Sequence, residues 1–145
     1  MTADDVDGPT LEEIELEECL ALVAASSVGR LAVSVPGGPP LVVPVNYVLE
    51  GEVVVFRTDE GTKLSALRGH PVSFQVDWVD DSHRTGWSVL IQGNAVETTE
   101  EEVGHLRVEP WPGGERHHWI RVVPDKVTGR RIRLPEIIRD SRGYL

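Results

Sequence analysis

Between residues 28 and 58 the chain leaves no room for a crossover. The strand-like runs Val28–Val35, Leu41–Leu49 and Glu52–Thr58 are separated only by Pro36-Gly-Gly-Pro-Pro40 and by Glu50-Gly51. Strands joined by turns this short pair antiparallel, because a parallel return needs a connection of roughly a dozen residues or more. Pro44 lies inside the second run, where a residue without an N–H marks an edge, a bulge or a stretch beside a ligand. Further along, Val72, Phe74, Val76 and Trp78 alternate on one face of Val72–Val79, and a loop at 80–83 leads into Trp87–Val96. His118–Val123 is the last clear strand; Pro124 is expected to end it, and Gly129 is expected to turn the basic segment that follows. The spacing of Leu16, Cys19, Leu20 and Val23 predicts a helix over Leu11–Ala25, entered through a capping box of Thr10 and Glu13. Shorter helices are expected over Thr62–Arg68, with Leu64 and Leu67 inward, and from Glu100 to about Val108. The order helix, three strands, helix, two strands, helix, strand favours an antiparallel barrel with short flanking helices over repeated βαβ units.

A chain of 145 residues, 40% hydrophobic, supports one domain with one core. We assign residues 1–10 to an acidic flexible arm and 11–145 to a single domain. The net charge of −10 is uneven: residues 1–27 hold eight acidic groups and no Lys or Arg, while residues 107–145 hold nine basic against five acidic groups. Overall acidity argues against nucleic-acid binding but leaves room for a local positive pocket. No apolar run reaches the length of a membrane span, and the start Met-Thr-Ala-Asp-Asp lacks the features of a secretory signal, so a cytoplasmic protein is expected. The single cysteine, Cys19, lies on the apolar stripe of the first helix and reads as a small buried hydrophobe.

The densest chemistry sits at Phe56-Arg-Thr-Asp-Glu-Gly-Thr-Lys-Leu64. Arg57, Thr58, Thr62 and Lys63 bring two cations and two hydroxyls to a glycine turn at a strand end, a set suited to a phosphate. The same residues also suit a solvated hairpin end. Asn46, an amide within a strand, needs a partner, and Tyr47 beside it is suited to the core with its hydroxyl at the rim. Trp87, between Gly86 and Ser88 at a strand start, suits either a planar cofactor or a subunit interface. His117 and His118 are adjacent on a strand and point to opposite faces, which places them poorly for one metal ion. No G-x-S-x-G elbow, GxGxxG fingerprint or Walker loop is present.

Taken in series, Gly29-Arg-Leu-Ala-Val33, Pro44-Val-Asn-Tyr47, the 54–64 segment, Val72-Ser-Phe-Gln-Val-Asp77 and Gly86-Trp-Ser-Val-Leu-Ile-Gln-Gly93 resemble the pyridoxamine-phosphate-oxidase-like superfamily of FMN-binding split barrels. The resemblance is to its small bacterial branch, and implies a six-stranded split β-barrel that forms a homodimer with a flavin in each of two interface clefts. It implies FMN as cofactor, a phosphate held by Arg57, Thr58, Thr62 and Lys63, and a ring passing Val45, Asn46 and Tyr47. The ring's polar edge falls on Ser88, with Trp87 and Val89 beside it. The oxidase's arginine and lysine are missing from Leu41–Tyr47, and its C-terminal tryptophan–arginine signature is missing too, with Arg130 and Arg131 not reproducing it; vitamin B6 is therefore a poor substrate assignment. Relatives of this kind also use deazaflavin, and a few bind haem. The expectation is an FMN-dependent oxidoreductase acting on a small-molecule substrate or electron acceptor. The alternatives are a deazaflavin-dependent reductase, with Arg84, Arg130 and Arg131 as added positive surface, and a non-catalytic flavin-binding or structural dimer.

Overall fold

The computed structural model describes residues 8–59, 61, 65, 67–112 and 116–135. Its elements are β1 (Thr10–Ile14), α1 (Leu16–Ala24), β2 (Val28–Val33), β3 (Leu41–Glu50), β4 (Val53–Thr58), β5 (Pro71–Asp80), β6 (Thr85–Thr98), α2 (Glu100–Val103) and β7 (His118–Arg133). The strands form one antiparallel sheet in the order β1-β7-β4-β3-β2-β5-β6, closed by a β6–β7 pairing. Six strands, β2 to β7, therefore make a closed barrel, and β1 is added outside it. The short turns at 36–40 and 51–52 hold β2, β3 and β4 as consecutive antiparallel neighbours, as their spacing predicts.

β7 joins the two sides. Its first part bonds β4, with Arg57 opposite Trp119, while its last part bonds β1, with Thr10 opposite Arg133. β6 runs along almost its whole length. Pro124 does not end this strand, because it falls where the β6–β7 register shifts between Gln92 and Gly93. At a bulge the missing proline N–H removes no ladder hydrogen bond. Gly93 makes that approach feasible: a Cβ there would lie 2.0 Å from the Val123 carbonyl oxygen. Gly129 is likewise no turn. It lies within β7 against Cys19, whose Sγ a Cβ would meet at 2.5 Å.

The N-terminal helix is shorter than its periodicity predicts. Thr10–Ile14 pairs with the basic end of β7, and Glu12 and Glu18 form ion pairs with Arg133 and Arg131. The separated acidic and basic ends of the sequence thus meet on adjoining elements, and Thr10 with Glu13 makes no capping box. The later helix also stops early, at Val103. Of the segment Thr62–Arg68, Thr62, Lys63, Leu64 and Ala66 lie outside the described residues; Ser65 and Leu67 are helical, and Leu67 is fully buried.

Alternate residues fill the barrel: Leu31 and Val33, Val45 and Tyr47, Val54 and Phe56, Phe74 and Val76, Val89 and Ile91, Ile120 and Val122. Each buried side chain of this size contributes about 1.5–3 kcal/mol of transfer free energy. α1 closes one end with Cys19 and Val23, and the Tyr47 hydroxyl donates to the Val23 carbonyl. Tyr47 also meets Phe74 edge-to-face at 4.9 Å, while Phe74 covers Gly29 too closely for any side chain there. A second cluster, Val55, Val103, Val108 and Trp119, lies on the outer face of the β4–β7 pair, beneath α2 and the connection after it. Pro44 occupies an edge: residues 41–46 of β3 pair with β2, whereas pairing with β4 begins at Tyr47.

Candidate functional site

The period of two divides the residues expected to form the site between two faces. Val45, Tyr47, Thr58 and Val89 are buried with the barrel-facing residues of their strands. A ligand outside the barrel meets these positions through their main chain. Burial pushes the Tyr47 phenol up to about 12, which keeps it neutral as a donor to Val23. The Thr58 hydroxyl reaches the Asp59 carbonyl at 3.4 Å. Thr62 and Lys63 lie outside the described residues.

Asn46 and Arg57 come together on the outer face. They occupy the positions just beyond the Tyr47–Phe56 pair of the β3–β4 ladder. Both side chains hold the connection between α2 and β7. Arg57 donates through Nε and Nη2 to the Arg116 carbonyl at 3.1 and 2.8 Å, and through Nη1 to the Val108 carbonyl at 3.4 Å. Its guanidinium also lies 4.9 Å from the centre of the Trp119 ring. Asn46 accepts the Trp111 N–H at 2.8 Å and donates to the Ser27 carbonyl at 3.4 Å. A groove of about 600 Å³ opens beside Asn46, bordered by Ser26, Ser27, Arg107 and Trp111. Trp111 is 73% exposed, so its main chain is anchored while its ring borders solvent.

Trp87 and Ser88 belong to a different place. They line a cavity of about 500 Å³ at the β5–β6 hairpin, together with Trp78, Arg84, Arg130 and Arg131. Trp78 pairs directly with Trp87 across the hairpin, and Ser88 pairs with Asp77 on one side and Arg130 on the other. Trp87 also packs against the barrel core. The three arginines thus converge on the Ser88 cavity and not on Arg57. The sequence offers these three arginines together as added positive surface but does not place them, because their place depends on β6 and β7 lying side by side, with β7 continuing through Pro124.

Along β7 the two places are far apart. Ser88 pairs with Arg130 and Arg57 with Trp119, eleven positions along the strand. At ~3.3 Å per residue this is about 35 Å of strand. Around the other side of the barrel they are nearer: Asn46 pairs with Val28, the β2–β5 register carried on from Arg30–Gln75 sets Val28 level with Asp77, and Asp77 pairs with Ser88, three strand spacings of about 4.8 Å each.

At the open end of the β4–β7 pair, His118 meets Glu97 at 2.6 Å, and Arg68 meets the other Glu97 oxygen at 3.1 Å. The His118 hydrogen bond is the first cause that holds the Glu97 carboxyl below its ordinary range, with Arg68 adding to it. His117, just before β7, is exposed, and His118, its first residue, is half-buried. Among the described residues no group of three or more His, Cys, Asp or Glu is arranged to hold a metal ion.

The pyridoxamine 5'-phosphate oxidase family profile matches residues 15–131. An uncharacterized protein of Mycobacterium tuberculosis, Rv0080, is 32% identical over 139 residues, which cover 90% of this chain and 88% of that protein. Among solved structures, the FAD binding protein from Mycobacterium smegmatis is 33% identical with a TM-score of 0.68, covering 86% of this chain and 100% of its own. A FAD-binding protein from Mesorhizobium loti is 25% identical with a TM-score of 0.70, covering 83% of this chain and 97% of its own.

Proposed function

This chain belongs to the pyridoxamine 5'-phosphate oxidase-like split-barrel family, and from that membership we propose that it is a homodimeric flavin-binding oxidoreductase with FMN as cofactor. The observation that supports the dimer is that the groove beside Asn46 and the Ser88 cavity are separate places, with no lining residue in common. A twofold axis that sets the first region of one subunit against the second of its partner brings both to one flavin.

The residues fit such a group by their donors. The cavity at Ser88 offers a hydroxyl, an indole wall and the buried Nε–H of Arg131, which has no acceptor among the described residues. Donors at the pyrimidine edge of a flavin stabilise negative charge on its reduced form. At the other end, Lys63 and Thr62 are proposed to meet the phosphate. Three of the five N–H groups of Arg57 are already used on main-chain carbonyls. Its proposed part is to hold the 104–117 connection against the outer face beside Asn46. The flavin supplies hydride and electron transfer when bound, and the protein binds, orients and shields it. No described side chain is nominated as a general acid or base.

FAD is a second reading, favoured by the two FAD binding proteins of similar sequence and fold. It shares the FMN moiety and therefore the same contacts. A deazaflavin with an acidic tail on its phosphate is disfavoured, because Arg84, Arg130 and Arg131 lie at the Ser88 end and not beyond Arg57.

The test is titration of the purified protein with FMN, FAD and a deazaflavin, followed by anaerobic reduction with a nicotinamide donor and transfer to a defined acceptor. Micromolar FMN or FAD binding with such transfer supports the proposal. Absence of flavin binding defeats it, and binding without turnover leaves a flavin-binding dimer instead of an enzyme.

A further inference from the structure

We propose that the cavity at the β5–β6 hairpin holds a planar aromatic carboxylate, stacked on Trp78 and clamped by Arg84 and Arg130. If the flavin meets Ser88 as proposed above, this ligand lies beside the ring edge, in the place of a substrate or electron acceptor.

The walls are apolar and exposed. Trp78 is 53% exposed and Val79 64%, although both lie on a long strand whose other apolar residues are largely buried. Leu11 and Ile132, from β1 and β7, are exposed on the same cavity. Apolar surface gathered around a concavity with a few polar groups is the ordinary form of a small-molecule site. An indole facing solvent offers a flat surface to an aromatic ring.

The charges distinguish the ligand. Arg131 is tied to Glu18, Asp77 to Arg30, and Asp80 to His83. Among the described residues Arg84 and Arg130 form no ion pair, although Glu13 is the register neighbour of Arg130. Asp80 is occupied as well by the Ser82 and His83 N–H groups, at 3.1 and 3.3 Å. Guanidinium forks match a carboxylate or a phosphate equally in shape. Three aspartates, Asp77, Asp80 and Asp81, line the same cavity and favour a singly charged anion over a doubly charged one.

The backbone adds an independent sign. Arg84 is the one non-glycine residue with positive φ among those described, at 53°. That conformation is unfavourable for a side-chain-bearing residue, and strain of this kind gathers at binding sites. Nearby, Gly86 lets the two hairpin strands close: a Cβ there would lie 2.5 Å from the Trp78 carbonyl oxygen.

The experiment uses the full chain, with and without flavin, and reads tryptophan quenching by naphthoate and by its neutral counterpart naphthylmethanol. Wild-type protein is expected to prefer naphthoate, and the double variant Arg84→Gln/Arg130→Gln to lose naphthoate affinity ~10-fold with naphthylmethanol changed less than about twofold, the magnitude of one screened charge-assisted contact. Arg84→Lys/Arg130→Lys is expected to recover part of the loss, and Trp78→Leu to weaken both probes. Equal wild-type binding of the two probes, or an unchanged naphthoate affinity in the double Gln variant, overturns the inference. Flavin titration of the same samples separates the two proposals: naphthoate selectivity without flavin binding supports the cavity and defeats the cofactor, and flavin binding without selectivity does the reverse.

Discussion

Replacing Arg57 with Ala is expected to destabilise the protein and to weaken riboflavin as much as FMN. In the folded chain Arg57 makes three hydrogen bonds to main-chain carbonyls and covers Trp119. Hydrogen bonds to a charged group contribute about 1.5–3 kcal/mol each, and the cation–π contact about 0.5–1. These terms do not add, since Arg57 is only half-buried and water replaces part of what is lost. A net loss of about 2–4 kcal/mol follows. In a domain of this size each kcal/mol lowers Tm by about 2–4 °C, so the expected fall is about 5–15 °C. Differential scanning calorimetry measures it, and calorimetric titration compares the two ligands. Arg57→Lys keeps the charge without the planar fork and is expected to recover less than half. A Tm lowered by under about 1 °C, with FMN affinity lost and riboflavin affinity kept, would refute the clamp and make Arg57 a phosphate ligand.

Lys63→Ala is expected to weaken FMN by roughly 1.5–3 kcal/mol, less screening, with riboflavin spared; equal losses in titration would place the phosphate elsewhere. Tyr47 has a folded pKa of about 12, raised by burial, so its contribution is fully present below its ordinary value near 10 and is lost as pH rises through about 12. Urea unfolding from pH 9 to pH 12 should show wild-type protein losing up to about 2 kcal/mol more than Tyr47→Phe; parallel curves would exclude the effect. Gly93→Ala sets a Cβ against the Val123 carbonyl and is expected to cost at least about 1–3 kcal/mol, read as a lowered urea midpoint. Light scattering should give a dimer near 32 kDa, twice the 16.0 kDa chain, and a monomer that keeps its flavin would contradict the shared site.

Where local pattern and tertiary structure agree, the barrel was legible. The turns at Pro36–Pro40 and Glu50-Gly51 leave only antiparallel pairing, and alternation along Val72–Val79 marks the inward face correctly as far as Val76, whereas Trp78 at the far end of the strand is exposed. Two errors share one cause. The glutamates at 12 and 13 read as the first turn of a helix, and Pro124 as the end of a strand, because local propensity carries no information about the partner. In the fold, Glu12 and Glu13 lie opposite Arg131 and Arg130, and Pro124 falls on a bulge. Long-range pairing overrides local preference at both places. The candidate site was legible by residue type and less so by direction. Val45, Asn46 and Tyr47 are consecutive, so a contact with all three cannot use all three side chains; the period of two sends only Asn46 outward.

The same geometry explains why a self-contained motif is missing from the sequence. In a closed six-stranded barrel the inward positions are filled by packing, and a ligand must lie on the outer face. That face curves, so donors on β3 and β4 diverge from donors on β6 unless another surface meets them. The groove beside Asn46 and the cavity at Ser88 accordingly share no lining residue. On the proposed reading a motif compact in sequence supplies only one end of the ligand: the 54–64 segment is proposed to meet the phosphate, and Trp87 and Ser88 the ring edge of the flavin shared with the opposite subunit. Weakening the dimer should then release flavin from both ends at once, whereas loss of Lys63 should leave the Ser88 cavity and its tryptophan quenching intact.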